Sequence, residues 1–226
     1  MRRFLMFAAA IARKDLLSEI RGREFLPAMA LFGVLVVLVT SFAIEPGIED
    51  GDRVRSGVLW IALTFAFVLG VGRSFQTERQ NEAIRGLLAS PVGRPAIYLG
   101  KLFANVVFLF VSGAVILAFF AVVYDLESPR AIPPLLAVLF LCALGFAGVG
   151  TLFAALTLGL RSRDAVLSVL LFPLLSPLIL AGSRSTQALL AGQPLLGQGF
   201  WLVLMAVYDV VFVVISLLVF DYVLEE

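Results

Sequence analysis

A polar stretch at residues 78–91, ERQNEAIRGLLASP, interrupts a chain that is otherwise dominated by hydrocarbon side chains. Its charged residues carry both signs, and its apolar residues follow the i, i+3, i+4 spacing of one helix face. The charged residues are Glu78, Arg79, Glu82 and Arg85, and the apolar stripe is Ile84, Leu87 and Leu88. A helix lying on the membrane surface has this shape too, but one that binds anionic lipid would be mainly basic. Mixed charge beside an apolar stripe instead favours docking to another protein.

The residues on either side of this stretch indicate its limits. Thr77 followed by Gln80 resembles a capping box at a helix start. Pro91 ends the element, because proline disfavours a helical conformation in the residue before it, and Pro95 suits the first turn of the next helix. The sequence therefore predicts an amphipathic helix, a tight turn and a second helix that begins at the membrane surface. Lys101 is expected to reach from that second helix back to the polar interface.

Catalytic chemistry has little support elsewhere in the chain. The sequence contains no histidine, which removes the most common metal ligand, haem ligand and general base, and no metal site is predicted. The single cysteine, Cys142, lies in an apolar run and is expected to be a small packing residue. No G-x-x-x-x-G-K-[ST] motif occurs, so the chain does not bind ATP through a P-loop. An intramembrane enzyme is therefore disfavoured.

Two polar residues inside the apolar runs are candidates for a role within the membrane. Asp209 lies about halfway along the last run, and an ionisable residue at membrane depth is a functional candidate by default. The simpler interpretation is that it faces other helices and hydrogen-bonds to a hydroxyl group or an unwound turn. Asn105 shares a helix face with Ser112, and we expect it to join helices rather than to bind substrate.

The composition indicates a membrane protein. Of 226 residues, 61% are hydrophobic and 15% are charged, whereas soluble domains average about 25% charged residues. Long apolar runs in lipid must be helices, because the backbone there has to satisfy its own hydrogen bonds. The predicted class is an all-α, polytopic membrane protein with a single transmembrane domain over residues 1–226. Its six predicted spans are about 25–44, 57–72, 102–123, 135–160, 165–182 and 200–220.

The distribution of positive charge predicts the orientation. Thirteen Lys and Arg residues lie on the side of the N terminus and four on the opposite side, so both termini and residues 73–101 are expected in the cytoplasm. The first twelve residues, MRRFLMFAAAIA, also resemble a short signal peptide, but its cleavage would export four basic residues against the charge rule. A helix lying in the cytoplasmic interface is the better interpretation, because apolar and basic residues occupy opposite faces. The residues are Phe4, Phe7, Ala8 and Ile11 against Arg3 and Lys14.

A longer motif that includes the polar stretch carries a family resemblance. From Trp60 the chain reads W-x(12)-R-S-F-x-x-E-R-x-x-x-A-I-x-G-L-L-A-S-P-V-x-R-x-A-I-Y-L-G-K. This string resembles CcmB, the family of permease subunits of the bacterial haem exporter in cytochrome c maturation. The length, the six spans and the short tails are similar as well, so the resemblance covers essentially the whole chain. A looser E-R…G-x-L…L…P…K theme is shared with other type-2 ABC export permeases.

The resemblance implies a non-enzymatic transporter subunit in the bacterial cytoplasmic (inner) membrane, with a type-2 ABC exporter fold. Residues 74–90 would form a coupling helix, with Leu87 and Leu88 in a groove of a separate ATPase subunit. The register of that helix would be set by Glu78, Arg79 and Glu82. ATP hydrolysis by the partner would be coupled to haem export or to release of a haem-loaded chaperone.

The same resemblance implies several partners. They are a CcmA-like ATPase, a second copy of the chain, the C and D cytochrome c maturation proteins, the haem chaperone E and membrane lipid. Because the chain cannot offer haem an imidazole, we expect it to bind no cofactor directly and its partners to handle most of the haem. Two alternatives stay open: a type-2 export permease for a drug, lipid or glycan, and a membrane scaffold without transport.

Overall fold

The computed structural model describes residues 2–22, 25–44, 51–72, 93–126, 129–157 and 163–223, and these include seven α-helices. In chain order the helices are α1 (Arg2–Gly22), α2 (Phe25–Ala43), α3 (Gly51–Gly72), α4 (Arg94–Val123), α5 (Ile132–Leu156), α6 (Arg163–Leu190) and α7 (Gly199–Val223). Short 3-10 turns lie at Pro129–Ala131 and Leu195–Gln198. Within the described residues, six helices are long and apolar enough to cross a membrane. The predicted all-α class with six spans is confirmed.

Three of the helices are longer than the apolar runs that predict the spans. Helix α3 begins at Gly51, before the run at 57–72, and α4 begins at Arg94, before the run at 102–123. Helix α6 continues to Leu190, beyond the run at 165–182. The other helix ends lie within four residues of the ends of their runs. In each of the three longer helices, polar residues extend the helix past the apolar run.

The extension of α6 is explained by polar contacts with α3. Ser56 Oγ donates to the Ser183 carbonyl oxygen at 2.6 Å, and Trp60 Nε1 donates to Thr186 Oγ1 at 2.9 Å. The Trp60 indole also covers Gly182, where an added Cβ would overlap the ring. The residues that follow 182 therefore continue α6 and face a neighbouring helix.

Helix α5 is the centre of the bundle, with α3, α4, α6 and α7 packed around it. Its glycines allow this close packing. Gly150 contacts Val71 of α3, and Gly148 contacts Val213 of α7. The small residues of this span thus bring neighbouring helices close together.

Helix α1 lies outside the six spans and packs along the first turns of α4. Ala8, Ile11 and Ala12 are its buried residues. A Cβ added at Gly100 of α4 would lie 2.7 Å from the Ala8 carbonyl oxygen, so this glycine allows the two helices to touch. The predicted N-terminal helix is confirmed, and its apolar face packs on α4.

Candidate partner-docking site

The predicted docking residues fall between two helix ends that the structure describes. Helix α3 ends at Gly72 and α4 begins at Arg94, so residues 73–92 connect them. The predicted docking residues themselves lie outside the described residues: Glu78, Arg79, Glu82, Ile84, Arg85, Leu87, Leu88 and Pro91. The structure therefore gives the two helix ends between which the predicted docking segment lies.

The start of α4 has the form that the sequence predicts. Gly93 is the last residue before the helix, and its carbonyl oxygen accepts a hydrogen bond of 3.0 Å from the Ala96 amide. Pro95 occupies the first turn, where its missing N–H costs no helical hydrogen bond. The turn predicted before Pro95 is thus followed directly by a regular helix.

Lys101 is buried against α1 at the start of α4. It is 2% exposed, and its Nζ lies 2.9 Å from Asp15 Oδ2 of α1. Lys14 Nζ lies 3.2 Å from the other oxygen of the same carboxylate. Helix α1 thus covers the start of α4 and supplies a partner for the ammonium group. A buried charge needs such a partner, since its desolvation would otherwise cost several kcal/mol.

A second carboxylate of α1 holds the start of α2. Glu19 Oε1 accepts hydrogen bonds from the backbone amides of Phe25 at 2.9 Å and Leu26 at 2.6 Å. Amides in the first turn of a helix lack helical partners, and a carboxylate there is also favoured by the helix dipole. Asp15 and Glu19 are one turn apart, so α1 joins α2 and α4 at the end of the bundle that carries residues 73–92. We call this arrangement the α1 corner.

Sequence reasoning did not select Asp15, Glu19 or Tyr98. Tyr98 lies one turn before Lys101 and donates from Oη to the Gly148 carbonyl oxygen of α5 at 3.0 Å. The local signal for the two carboxylates is their spacing of four residues, which places them on one side of α1. Their partners depend on the packing of α1 on α4, which the local sequence pattern does not give.

The two membrane-interior candidates have different surroundings. Asn105 Nδ2 donates to Thr151 Oγ1 of α5 at 2.8 Å, so this residue joins two helices as expected. Ser112 instead bonds within α4, to the Leu109 carbonyl oxygen at 3.1 Å. Both residues are buried.

Asp209 is 3% exposed and faces Gly145 of α5. It faces other helices as expected, but neither carboxyl oxygen makes a hydrogen bond to a described residue. No cluster of three or more His, Cys, Asp or Glu residues that could hold a metal occurs in the part of the chain that the structure describes. Cys142 is buried, with its Sγ 3.4 Å from Met205 Sδ, which is a packing contact between α5 and α7.

The family of the chain follows from comparison with known proteins. A family model described as CcmB protein matches residues 6–225, a range that includes all six spans and the α1 corner. The chain belongs to the CcmB family. The resemblance seen in the motif that begins at Trp60 is therefore confirmed, and it extends to nearly the whole sequence.

Several curated relatives carry the same name. Heme exporter protein B of Pseudomonas aeruginosa is 27% identical over 197 residues, which cover 87% of this chain and 87% of the relative. The protein of that name from Rhodobacter capsulatus is 29% identical over 176 residues, covering 77% and 80%. The one from Escherichia coli K12 is 26% identical over 161 residues, covering 70% and 71%. Together with the six apolar helices, this similarity shows that the chain is a multi-pass bacterial membrane protein.

The α1 corner gives a prediction about stability. Asp15→Asn removes the carboxylate that Lys101 and Lys14 share, and loss of one partner of a buried ion pair costs up to about 3–5 kcal/mol. We expect a clearly lower thermal midpoint of the purified chain in detergent. Arg13→Gln on the exposed face of α1 is the matched control and should change stability by less than about 0.5 kcal/mol.

A double-mutant cycle separates the ion pair from general damage to α1. If the pair couples the two helices, Asp15→Asn with Lys101→Gln should cost less than the sum of the single changes, by about 0.5–3 kcal/mol. Strictly additive decreases in stability for the two substitutions would contradict the role given to this pair. An equal decrease in stability for the Arg13→Gln control would contradict it as well.

Proposed function

We propose that this chain is the membrane-spanning permease subunit of an ABC transporter that serves haem delivery for cytochrome c biogenesis. The observation that carries the proposal is the match to the CcmB family over residues 6–225, with 87% coverage of both chains in the Pseudomonas aeruginosa comparison. The names of the relatives refer to haem export, and the same activity is proposed here. The whole chain would act as one transmembrane domain.

ATP hydrolysis belongs to a separate, CcmA-like ATPase subunit in this proposal, because the chain has no P-loop motif. The ATPase would dock on residues 73–92, with Leu87 and Leu88 in a groove of its surface. A second permease copy, the C and D maturation proteins and the haem chaperone E would complete the assembly. The location would be the inner membrane, with both termini and the docking segment in the cytoplasm, as the excess of Lys and Arg on that side favours.

The described contacts support a route for mechanical coupling. Nucleotide-driven closure of the ATPases would move residues 73–92, which lead directly into α4 at Arg94. Because Asp15 is bound to Lys101 and Glu19 holds the start of α2, α1 would move with α4 and carry α2 with it. Helix α4 has 30 residues, about 45 Å in length, so a small tilt at its start displaces its far end by several Å. In this proposal α1, α2 and α4 form an element with two positions, and the nucleotide bound to the ATPases determines which position is favoured.

Haem would be handled mainly by the partners. The chain has no histidine. Several side chains that could replace an imidazole are engaged in other contacts: Tyr98 Oη donates to the Gly148 carbonyl oxygen, Tyr208 Oη donates to the Leu174 carbonyl oxygen, and Cys142 contacts Met205. These contacts disfavour axial ligation of haem iron by this subunit.

The absence of axial ligation can be tested by absorption spectroscopy. The purified chain, mixed with haem and passed through gel filtration, should emerge without a Soret band. A stable Soret band at a one-to-one ratio would contradict the proposed handling of haem by partners, but it would leave the permease role intact.

The function itself is tested by complementation. A bacterial strain that lacks its own CcmB gene should regain covalent haem staining of its c-type cytochromes when it expresses this chain. Expressing the ATPase from the same genome as this chain in the same cells removes partner mismatch as a reason for failure. Membrane-inserted chain at normal abundance that restores no staining would refute haem delivery as its role.

A further inference from the structure

A cavity of about 630 Å³ lies at the end of the bundle opposite the α1 corner, and we call it the distal cavity. Its wall is formed where α3 begins, α4 ends, α5 begins and α6 ends. The distance along α4 from Lys101 to Tyr124 is about 35 Å at about 1.5 Å per residue. The distal cavity is therefore far from the docking segment, and its volume is typical of a site for a small ligand.

The wall of the distal cavity carries equal numbers of positive and negative side chains. Its polar residues are Asp52, Arg55, Tyr124, Asp125, Arg130 and Gln193. Arg55 Nη1 lies 3.7 Å from Asp52 Oδ1, so this pair is largely compensated. Neither Arg130 nor Asp125 forms an ion pair with a residue that the structure describes. The wall thus offers one available cation and one available anion.

Tyr124 contributes an aromatic ring to the wall. Its hydroxyl oxygen is buried and has no hydrogen-bond partner among the described residues. The nearby Thr40 hydroxyl donates to the Val36 carbonyl oxygen, at 2.6 Å. Burial raises the pKa of the Tyr124 phenol, while Thr40 and Arg55 oppose that shift. The phenol therefore keeps its proton at neutral pH and adds no charge to the wall.

The backbone fixes the position of Asp125 at the end of α4. Its φ of 46° is in the left-handed region, which Asp and Asn tolerate better than other residues with a side chain. The following amide, Leu126 N–H, donates to the Ala121 carbonyl oxygen at 3.0 Å and closes the turn. This geometry holds a carboxylate in the wall of the distal cavity.

Aliphatic side chains complete the wall. Leu189 and Leu190 come from the last turn of α6, and Leu195 comes from the turn that precedes α7. Gly192, with a φ of 77°, allows the chain to leave α6 between them. The distal cavity is thus charged on one part of its wall and hydrocarbon on another, as an amphiphilic ligand requires.

We propose that the distal cavity binds a zwitterionic phospholipid whose head group pairs a phosphate with a primary ammonium, as in phosphatidylethanolamine. Arg130 is suited to the phosphate, because guanidinium groups bind phosphate with paired N–H donors. Asp125 is suited to the ammonium, and the leucines are suited to the upper acyl chains. A ligand with net negative charge, including a dicarboxylate such as haem, is disfavoured because it would meet the carboxylates of Asp52 and Asp125. The proposal does not depend on the transport role.

Native mass spectrometry of the full chain in detergent tests this assignment. The delipidated protein is titrated separately with phosphatidylethanolamine, phosphatidylcholine and phosphatidylglycerol of identical acyl chains. We expect the tightest binding for phosphatidylethanolamine, because phosphatidylcholine lacks ammonium N–H donors and phosphatidylglycerol lacks the positive charge. Arg130→Gln and Asp125→Asn should each weaken it about tenfold. Asp125→Asn should also reduce the preference over phosphatidylglycerol, a change that general damage would not produce.

Arg184→Gln is the matched control, because Arg184 lies near the same end of the bundle, pairs with Gln187 and does not line the cavity. It should leave all three affinities unchanged. Asparagine at 125 keeps the left-handed backbone, and an unchanged thermal midpoint would show that the variant is folded. Equal or tighter binding of phosphatidylglycerol by the wild-type chain would overturn the proposal. So would Arg130→Gln and Asp125→Asn variants that bind phosphatidylethanolamine like the wild type.

Discussion

A backbone in lipid has to satisfy its own hydrogen bonds, and the rest of this structure depends on that constraint. It makes the apolar runs helical and leaves packing, rather than exclusion of water, to hold the helices together. Glycines on α5 permit this packing, as at Gly148 and Gly150, where side chains of α7 and α3 rest against the helix. The few buried polar groups then join particular helices, as Asn105 does with Thr151 and Trp60 does with Thr186.

Charged groups are accommodated differently at the two ends of the bundle. At the α1 corner the carboxylates of α1 bind Lys101, Lys14 and the first amides of α2. These contacts connect α1 to both α2 and α4. At the distal cavity, Arg130 and Asp125 are left for a ligand. Helix α4 runs between the two ends and starts beside the docking segment. The end that would receive force is thus joined through ion pairs and carboxylate hydrogen bonds, whereas Arg130 and Asp125 at the cavity end form no ion pair with a described residue.

The sequence predicts the class and most of the helices, because hydrophobic run length and proline or glycine positions are local signals. Pro95 marks the first turn of α4, and Asn105 is a helix-joining residue, as expected. The polar contacts between helices could not be predicted in the same way. The extension of α6 to Leu190 depends on the partners of Ser183 and Thr186 on α3, and the burial of Lys101 depends on Asp15. The distal cavity combines four helix ends that are distant in the chain. The docking residues in 73–92 lie outside the described residues and stay predictions.

The central claim is that residues 73–92 bind the ATPase that drives this permease. The most direct measurement is co-purification of the tagged chain with that ATPase, comparing wild type with Leu87→Arg and Glu78→Arg. Leu196→Arg is the control, because this 91% exposed leucine lies at the distal end. An unpaired charge buried at an interface costs about 2–5 kcal/mol, so both docking variants should lose the ATPase while the control keeps it. Full recovery of the ATPase with both docking variants, at wild-type ATP turnover, would contradict the account.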